Sequence, residues 1–129
     1  MTSEPHTLAN SGTGVTTAVS ALTTAGYDGS LNLLFDALSD KRRRYALYCL
    51  NYHQTPMALA DLATEIARYE YDADTRTEIP DGETKSIYTT LHHNHLPRLA
   101  EANLVMYDST THTAELTPNV PELNWDDLV

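Results

Sequence analysis

Apolar positions recur along this chain mostly at helical spacing. Leu31, Leu34, Phe35 and Leu38 fall at i, i+3, i+4 and i+7, one face of a helix opening after Ser30. Ser39 then reads as the N-cap of a second helix, with Asp40 favourable in its first turn. That helix carries Ala46, Leu47 and Leu50 on one face, and Pro56 cannot continue it. A third helix opens at Thr55 or Met57 and is marked by Leu59, Leu62, Ala63, Ile66 and Ala67. From Glu70 to Glu83 the chain is acidic and polar, with a turn signal at Pro80, Asp81 and Gly82, and reads as a loop.

Thr84 is the expected cap of a fourth helical run. Ile87, Tyr88, Leu91, His95, Leu99 and Ala102 trace its apolar face. Pro97 removes one backbone donor and should bend this helix or divide it. Asn103 sits where a left-handed residue ends it. Leu104 to Asp108 and Thr113 to Thr117 are two short β-rich runs around a polar turn, hence a hairpin, and Pro118 and Pro121 follow.

The resulting fold class is mainly α with a small β-hairpin, in the element order of a winged helix-turn-helix. The expected core is Leu34, Phe35, Leu38, Leu47, Leu50, Leu62, Ile66, Ile87, Leu91, Leu99 and Leu104. Residues 1–29 are rich in Ser, Thr, Ala and Gly and read as a flexible arm, with Val15, Val19 and Leu22 enough for a turn or two of helix. Residues 30–117 form the domain. Residues 118–129 are an acidic tail in which Leu123, Trp125 and Leu128 could dock. No internal repeat is present.

Charge changes the picture more than composition does. In 129 residues there are 18 acids against 8 Lys and Arg, a net charge of -10. Lys41 and Lys85 are the only lysines. Acid excess with lysine scarcity points to adaptation to molar salt, a halophilic source. At about 1 M salt the Debye length is only about 3 Å, so the acids scarcely repel one another. An ordinary acidic protein is the other reading. Cys49 is the single cysteine, so no disulfide forms within the chain and a cytoplasmic location is the default. No apolar run approaches membrane-spanning length, and no basic-then-apolar leader opens the chain.

The stretch His95-Leu96-Pro97-Arg98-Leu99-Ala100-Glu101-Ala102-Asn103-Leu104-Val105 resembles the end of the recognition helix in ArsR-like winged-helix regulators. Leu33 to Arg43 resembles that family's first helix, and Leu59 to Ala63 its support helix. The chain is similar, more closely, to a haloarchaeal winged-helix family of uncharacterised regulators. The motifs are Leu38 to Tyr45 (Leu-Ser-x-x-Arg-Arg-Arg-Tyr) and Tyr88 to Leu99 (Tyr-x-x-Leu-x-x-x-His-Leu-Pro-x-Leu). The likeness spans about residues 31–117 and implies a fold that binds double-stranded DNA; it implies no operator and no ligand. Asn103 stands where that family has Gly, and the segment between support and recognition helices is longer than a compact helix-turn-helix allows.

Two groups of residues carry the expected DNA contacts. Lys41, Arg42, Arg43 and Arg44 hold half the positive charge at a helix start, where they could clamp phosphate. On a helix they point in different directions, so two or three at most face one partner, and Arg43 and Arg44 could instead serve the core. Lys85, Ser86, Thr89, Thr90, His92 and His93 form the polar side of the fourth helix, which could read base edges in a major groove. The turn Ser109 to Thr113 has one His and no Arg, a poor phosphate grip.

Cys49 with His53, and His92 with His95, stand at ligand-capable spacings, but one thiol without a forced cluster favours no metal and no cofactor. No Gly-rich phosphate loop, nucleophile elbow or zinc-protease motif is present, so no enzyme is expected. The expectation is a homodimeric DNA-binding transcription regulator. The alternatives are a winged-helix protein–protein interaction module and a metal or small-ligand sensor.

Overall fold

The computed structural model describes residues 13–54, 56–72, 78–118 and 120. The first helix, α1 (Thr13–Thr24), was not expected as a packed element. Ala18, Val19 and Leu22 are buried, on one side of the helix, so the body of the domain begins well before Ser30. Small residues gave this segment no strong period, but they let it lie close against α2. Gly26, at φ 116, ends α1, with Tyr27 N–H donating to Leu22 O and Gly26 N–H to Thr23 O. This is a Schellman stop, which needs the left-handed conformation glycine adopts freely. The Tyr27 hydroxyl then donates to Ala102 O at 2.8 Å and fastens the linker to a residue 75 positions further along the chain.

Helix α2 (Leu31–Leu38) is capped by Ser30, whose side chain accepts from Leu33 N–H. Its inward face is Leu34, Ala37 and Leu38; Phe35 is 47% exposed and is not part of the core. The inward stripe is narrower than the spacing suggested, and Ala37 takes the place assigned to Phe35. Helix α3 (Lys41–His53) is capped by Asp40, not Ser39: the Asp40 carboxylate accepts from Arg42 and Arg43 N–H. Ser39 instead ends α2, where its backbone and hydroxyl both donate to Asp36 O.

Met57–Ala58 is a two-residue strand, β1, and the next helix, α4, runs Leu59–Tyr71. The helix therefore starts later than Met57 and reaches past Glu70, leaving the loop to open at Asp72. Helix α5 (Glu83–Thr90) starts at Gly82, left-handed at φ 82, rather than at a Thr84 cap. Leu91–His95 forms a π-helical turn, and α6 (Leu96–Glu101) follows. Pro97 explains the division. It lacks an N–H and its ring crowds the carbonyl four residues back, so the preceding backbone widens and Leu96 N–H reaches Leu91 O. Asn103, at φ 62, closes α6 with a second Schellman stop: Leu104 N–H donates to Leu99 O and Asn103 N–H to Ala100 O.

Strands β2 (Val105–Asp108) and β3 (Thr113–Leu116) form the expected hairpin, with β1 added on the far side of β3. The antiparallel order is β1-β3-β2, with Met57 opposite Ala114 and Val105 opposite Leu116. Met57, Val105 and Ala114 face inward, and Met106 faces out. Two residues leave no periodic trace, which is why β1 was not legible. Helix α4 packs between α3 and α5, and a single cluster that includes Leu22, Leu34, Leu47, Leu62, Ile66, Ile87, Leu91 and Leu99 fills the centre. The molecule is thus a helix-rich, winged-helix-like fold with a small antiparallel sheet.

The Asp40 cap gives a first prediction. Asp40→Ala removes the acceptor for two orphan N–H groups and should cost about 0.5–2 kcal/mol of stability in urea unfolding, while Ser39→Ala should cost less.

Candidate nucleic-acid interface

The basic run at the start of α3 mostly turns inward. Arg43 is only 6% exposed. Its Nε donates to Ala37 O at 2.8 Å and its NH2 to Asp36 O at 2.9 Å, so it satisfies the last carbonyls of α2. Its NH1 meets Asn94 Oδ1 at 3.4 Å and His95 Nδ1 at 3.2 Å on the π turn. A guanidinium has no acceptor, so Nδ1 accepts and the neutral imidazole carries its proton on Nε2. Burial disfavours the Arg43 charge, and the nearby carboxylates of Asp40 and Asp36 offset part of that.

Arg42 makes a two-pronged pair with Glu70 of α4, Nε to Oε2 at 2.6 Å and NH2 to Oε1 at 2.8 Å. Its NH1 donates to Thr90 Oγ1 at 3.2 Å, and Glu83 lies 3.9 Å away. Arg44 NH1 donates to Leu38 O at 2.7 Å. Arg42, Arg43 and Arg44, expected to clamp phosphate, are therefore engaged within the protein; of the four, Lys41 is the exposed one, its ammonium 5.6 Å from the Tyr45 ring. The reason is local. A helix that follows another after a single turn exposes the carbonyls of the first, and long cationic side chains one turn on can reach back to them.

Helix α5 presents a different surface. Ile87 and Leu91 are fully buried, whereas Lys85, Ser86, Thr89 and His93 are exposed. Residues 85, 89 and 93 are spaced four apart and form one ridge. Thr89 Oγ1 donates to Lys85 O at 3.0 Å, so its methyl and oxygen are held in one arrangement. Thr90 is only half-exposed: it donates to the backbone of its own helix and accepts from Arg42, which removes it from the outer surface. His92 leans toward the wing, Nδ1 2.6 Å from the Tyr107 hydroxyl. Of six residues assigned to this face, four point outward and two tie it to its neighbours.

His95 is buried at 7% exposure, and burial first of all lowers its pKa from the ordinary histidine value. Cys49 is fully buried; burial, then the Glu65 carboxylate, hold its thiol protonated well above its usual range. His53 pairs with Glu65 at 2.7 Å instead of joining a metal set. Among the described residues no three His, Cys, Asp or Glu side chains converge to hold a metal ion, and no helix is long and apolar enough to cross a membrane.

A winged-helix-like body with an outward polar ridge on the helix before the wing defines the class of domain this is. Residues 35–115 match the domain of unknown function DUF7344, and the chain belongs to that family. No curated protein and no solved structure matches the chain.

His95 gives a second prediction. Its neutral form is favoured in the fold, so the unfolded chain takes up the proton first as pH falls. This contribution to stability is complete above about pH 6.5 and is lost as pH falls below that value toward the lower folded pKa. Melting temperature should decline from about pH 7.5 to 5, and His95→Gln should decline less steeply over the same range.

Proposed function

We propose that the domain binds double-stranded DNA as a transcription regulator, with α5 entering the major groove. The observation that supports this most is the exposed ridge Lys85, Ser86, Thr89 and His93 on a helix whose other side is anchored in the core. From Glu83 to His95 the α5 and π segment spans roughly 20 Å at helical rise, long enough to lie across a groove about 12 Å wide. Lys85 can reach guanine or phosphate, and Thr89 can meet a base edge or a thymine methyl. Phosphate contact falls to Lys41 and Lys85, since Arg42 to Arg44 are held inside.

A chain of net charge -10 gains little from counterion release. On this reading, fit and base contacts carry affinity, and the working medium is concentrated salt, as for a halophilic, cytoplasmic protein. The single thiol is buried, in keeping with a reducing compartment.

The regulator acts as a homodimer. Helix α2 leaves Leu31 and Phe35 about half exposed, at 53% and 47%. Helix α1 carries no charged residue, and the one acid of α2, Asp36, is paired with Arg98 at 2.8 Å. Two strongly acidic copies can meet there with least repulsion. The same exposed Leu31 and Phe35 favour the second reading, in which this face grips another protein and DNA is not involved.

Fluorescence anisotropy with mixed-sequence duplex between about 0.5 and 3 M KCl separates the readings. DNA binding that persists across this range, and weakens about tenfold in Lys85→Ala, supports the regulator. No binding anywhere in the range promotes the contact module. Light scattering should give twice the chain mass, and Phe35→Asp should return it to one; a wild-type monomer contradicts the dimer.

A further inference from the structure

The wing lacks Lys and Arg, yet three imidazoles gather where it meets the end of α5. His92 sits at the centre, its ring centroid 4.6 Å from that of His93 and 5.5 Å from that of His112. The Tyr107 hydroxyl, 2.6 Å from His92 Nδ1, joins strand β2 to the π turn, and Tyr88 lies 6.4 Å from His112. His112 is held by its backbone: at φ 57 it turns the chain into β3, and its carbonyl accepts from Leu59 N–H at 2.8 Å. Leu59 opens α4, so the wing tip is pinned to a helix start. His93 and His112 are exposed; His93 continues the Lys85 and Thr89 ridge, and His112 lies beside the same helix, next to Tyr88 and His92.

We infer that His93 and His112, positioned through His92 and Tyr107, form a phosphodiester-contact site that makes the affinity for DNA rise as pH falls. This rests on the DNA-binding reading and adds its regulation. Histidine is the side chain that gains charge between roughly pH 8 and 5. An imidazolium pair at the groove edge would neutralise backbone phosphates that a Lys- and Arg-free wing cannot.

The groups around the pair are known. On α5 they are Lys85, Tyr88 and His92. On the wing they are Tyr107 and Asp108. One oxygen of Asp108 already accepts from Thr110 and Thr111 N–H at 2.9 and 3.2 Å. These bonds, first of all, hold the carboxylate below its usual pKa, so it stays charged across this range and does not itself switch. On α4, Asp61 and Glu65 line a separate cleft with His53.

The test is anisotropy with a mixed-sequence duplex at one fixed KCl concentration, from about pH 8 to 6. A one-unit rise in pKa on binding tightens the complex by up to about tenfold for each imidazole across that window. The double variant His93→Gln with His112→Asn should lose the pH dependence; Asn suits the left-handed turn position. His53→Gln, outside the cluster, should keep it. Duplex should also move the titration of the His93 and His112 imidazole proton resonances to higher pH, a readout independent of affinity. Binding equally tight at both pH values, full pH dependence in the double variant, or unmoved imidazole titrations overturns the inference while leaving the DNA reading intact. Absence of DNA binding at every pH overturns both.

Discussion

A buried guanidinium holds this fold in register. Arg43, in the first turn of α3, donates to the last carbonyls of α2 and to the π turn, and so joins three elements. Desolvating a charge is costly, and it is tolerated because each nitrogen finds an acceptor and two carboxylates stand near. Removing that side chain would take from Ala37 O its side-chain donor and leave Asp36 O to Ser39 alone, a penalty that apolar packing does not offset. Arg42 extends the same knot through Glu70 to α4 and through Thr90 to α5. Helix α5 is thus held both by its own buried Ile87 and Leu91 and by this polar contact at Thr90.

That arrangement reverses the first impression of the basic run. A string of four cations in a strongly acidic chain looks like a ligand grip, but three are spent on stitching helices together. Among the lysines and arginines at the start of α3 and on α5, those that remain exposed are Lys41 and Lys85. Affinity built this way depends on shape and directed hydrogen bonds, and it suits a medium in which long-range attraction is screened.

Where apolar side chains are large and evenly spaced, the chain was legible. Leu34, Leu38, Leu62, Ile66, Ile87 and Leu99 are buried as their periodicity requires. Pro97 divides its helix, and Asn103 takes the left-handed stop, because both act through backbone geometry that one residue decides. Small residues were not legible: α1 buries Ala18 and Val19 without a strong period, and β1 is too short to have one. Phe35 and the arginines misled for a common reason. Hydrophobicity and charge state what a side chain can do, whereas the neighbour it meets, from elsewhere in the chain, decides what it does. Lys85, Ser86, Thr89 and His93 were legible as a face because a helix fixes their direction, while His112 was missed because its partners are His92 and Tyr88 across the fold.

The claim that α5 carries the contact surface is tested most directly by amide chemical-shift mapping of the protein during titration with duplex DNA. The account predicts perturbations at Lys85, Ser86, Thr89, His93 and the wing tip, with α1 and α2 unmoved. Perturbations centred on Leu31 and Phe35, or none at saturating duplex, would contradict it.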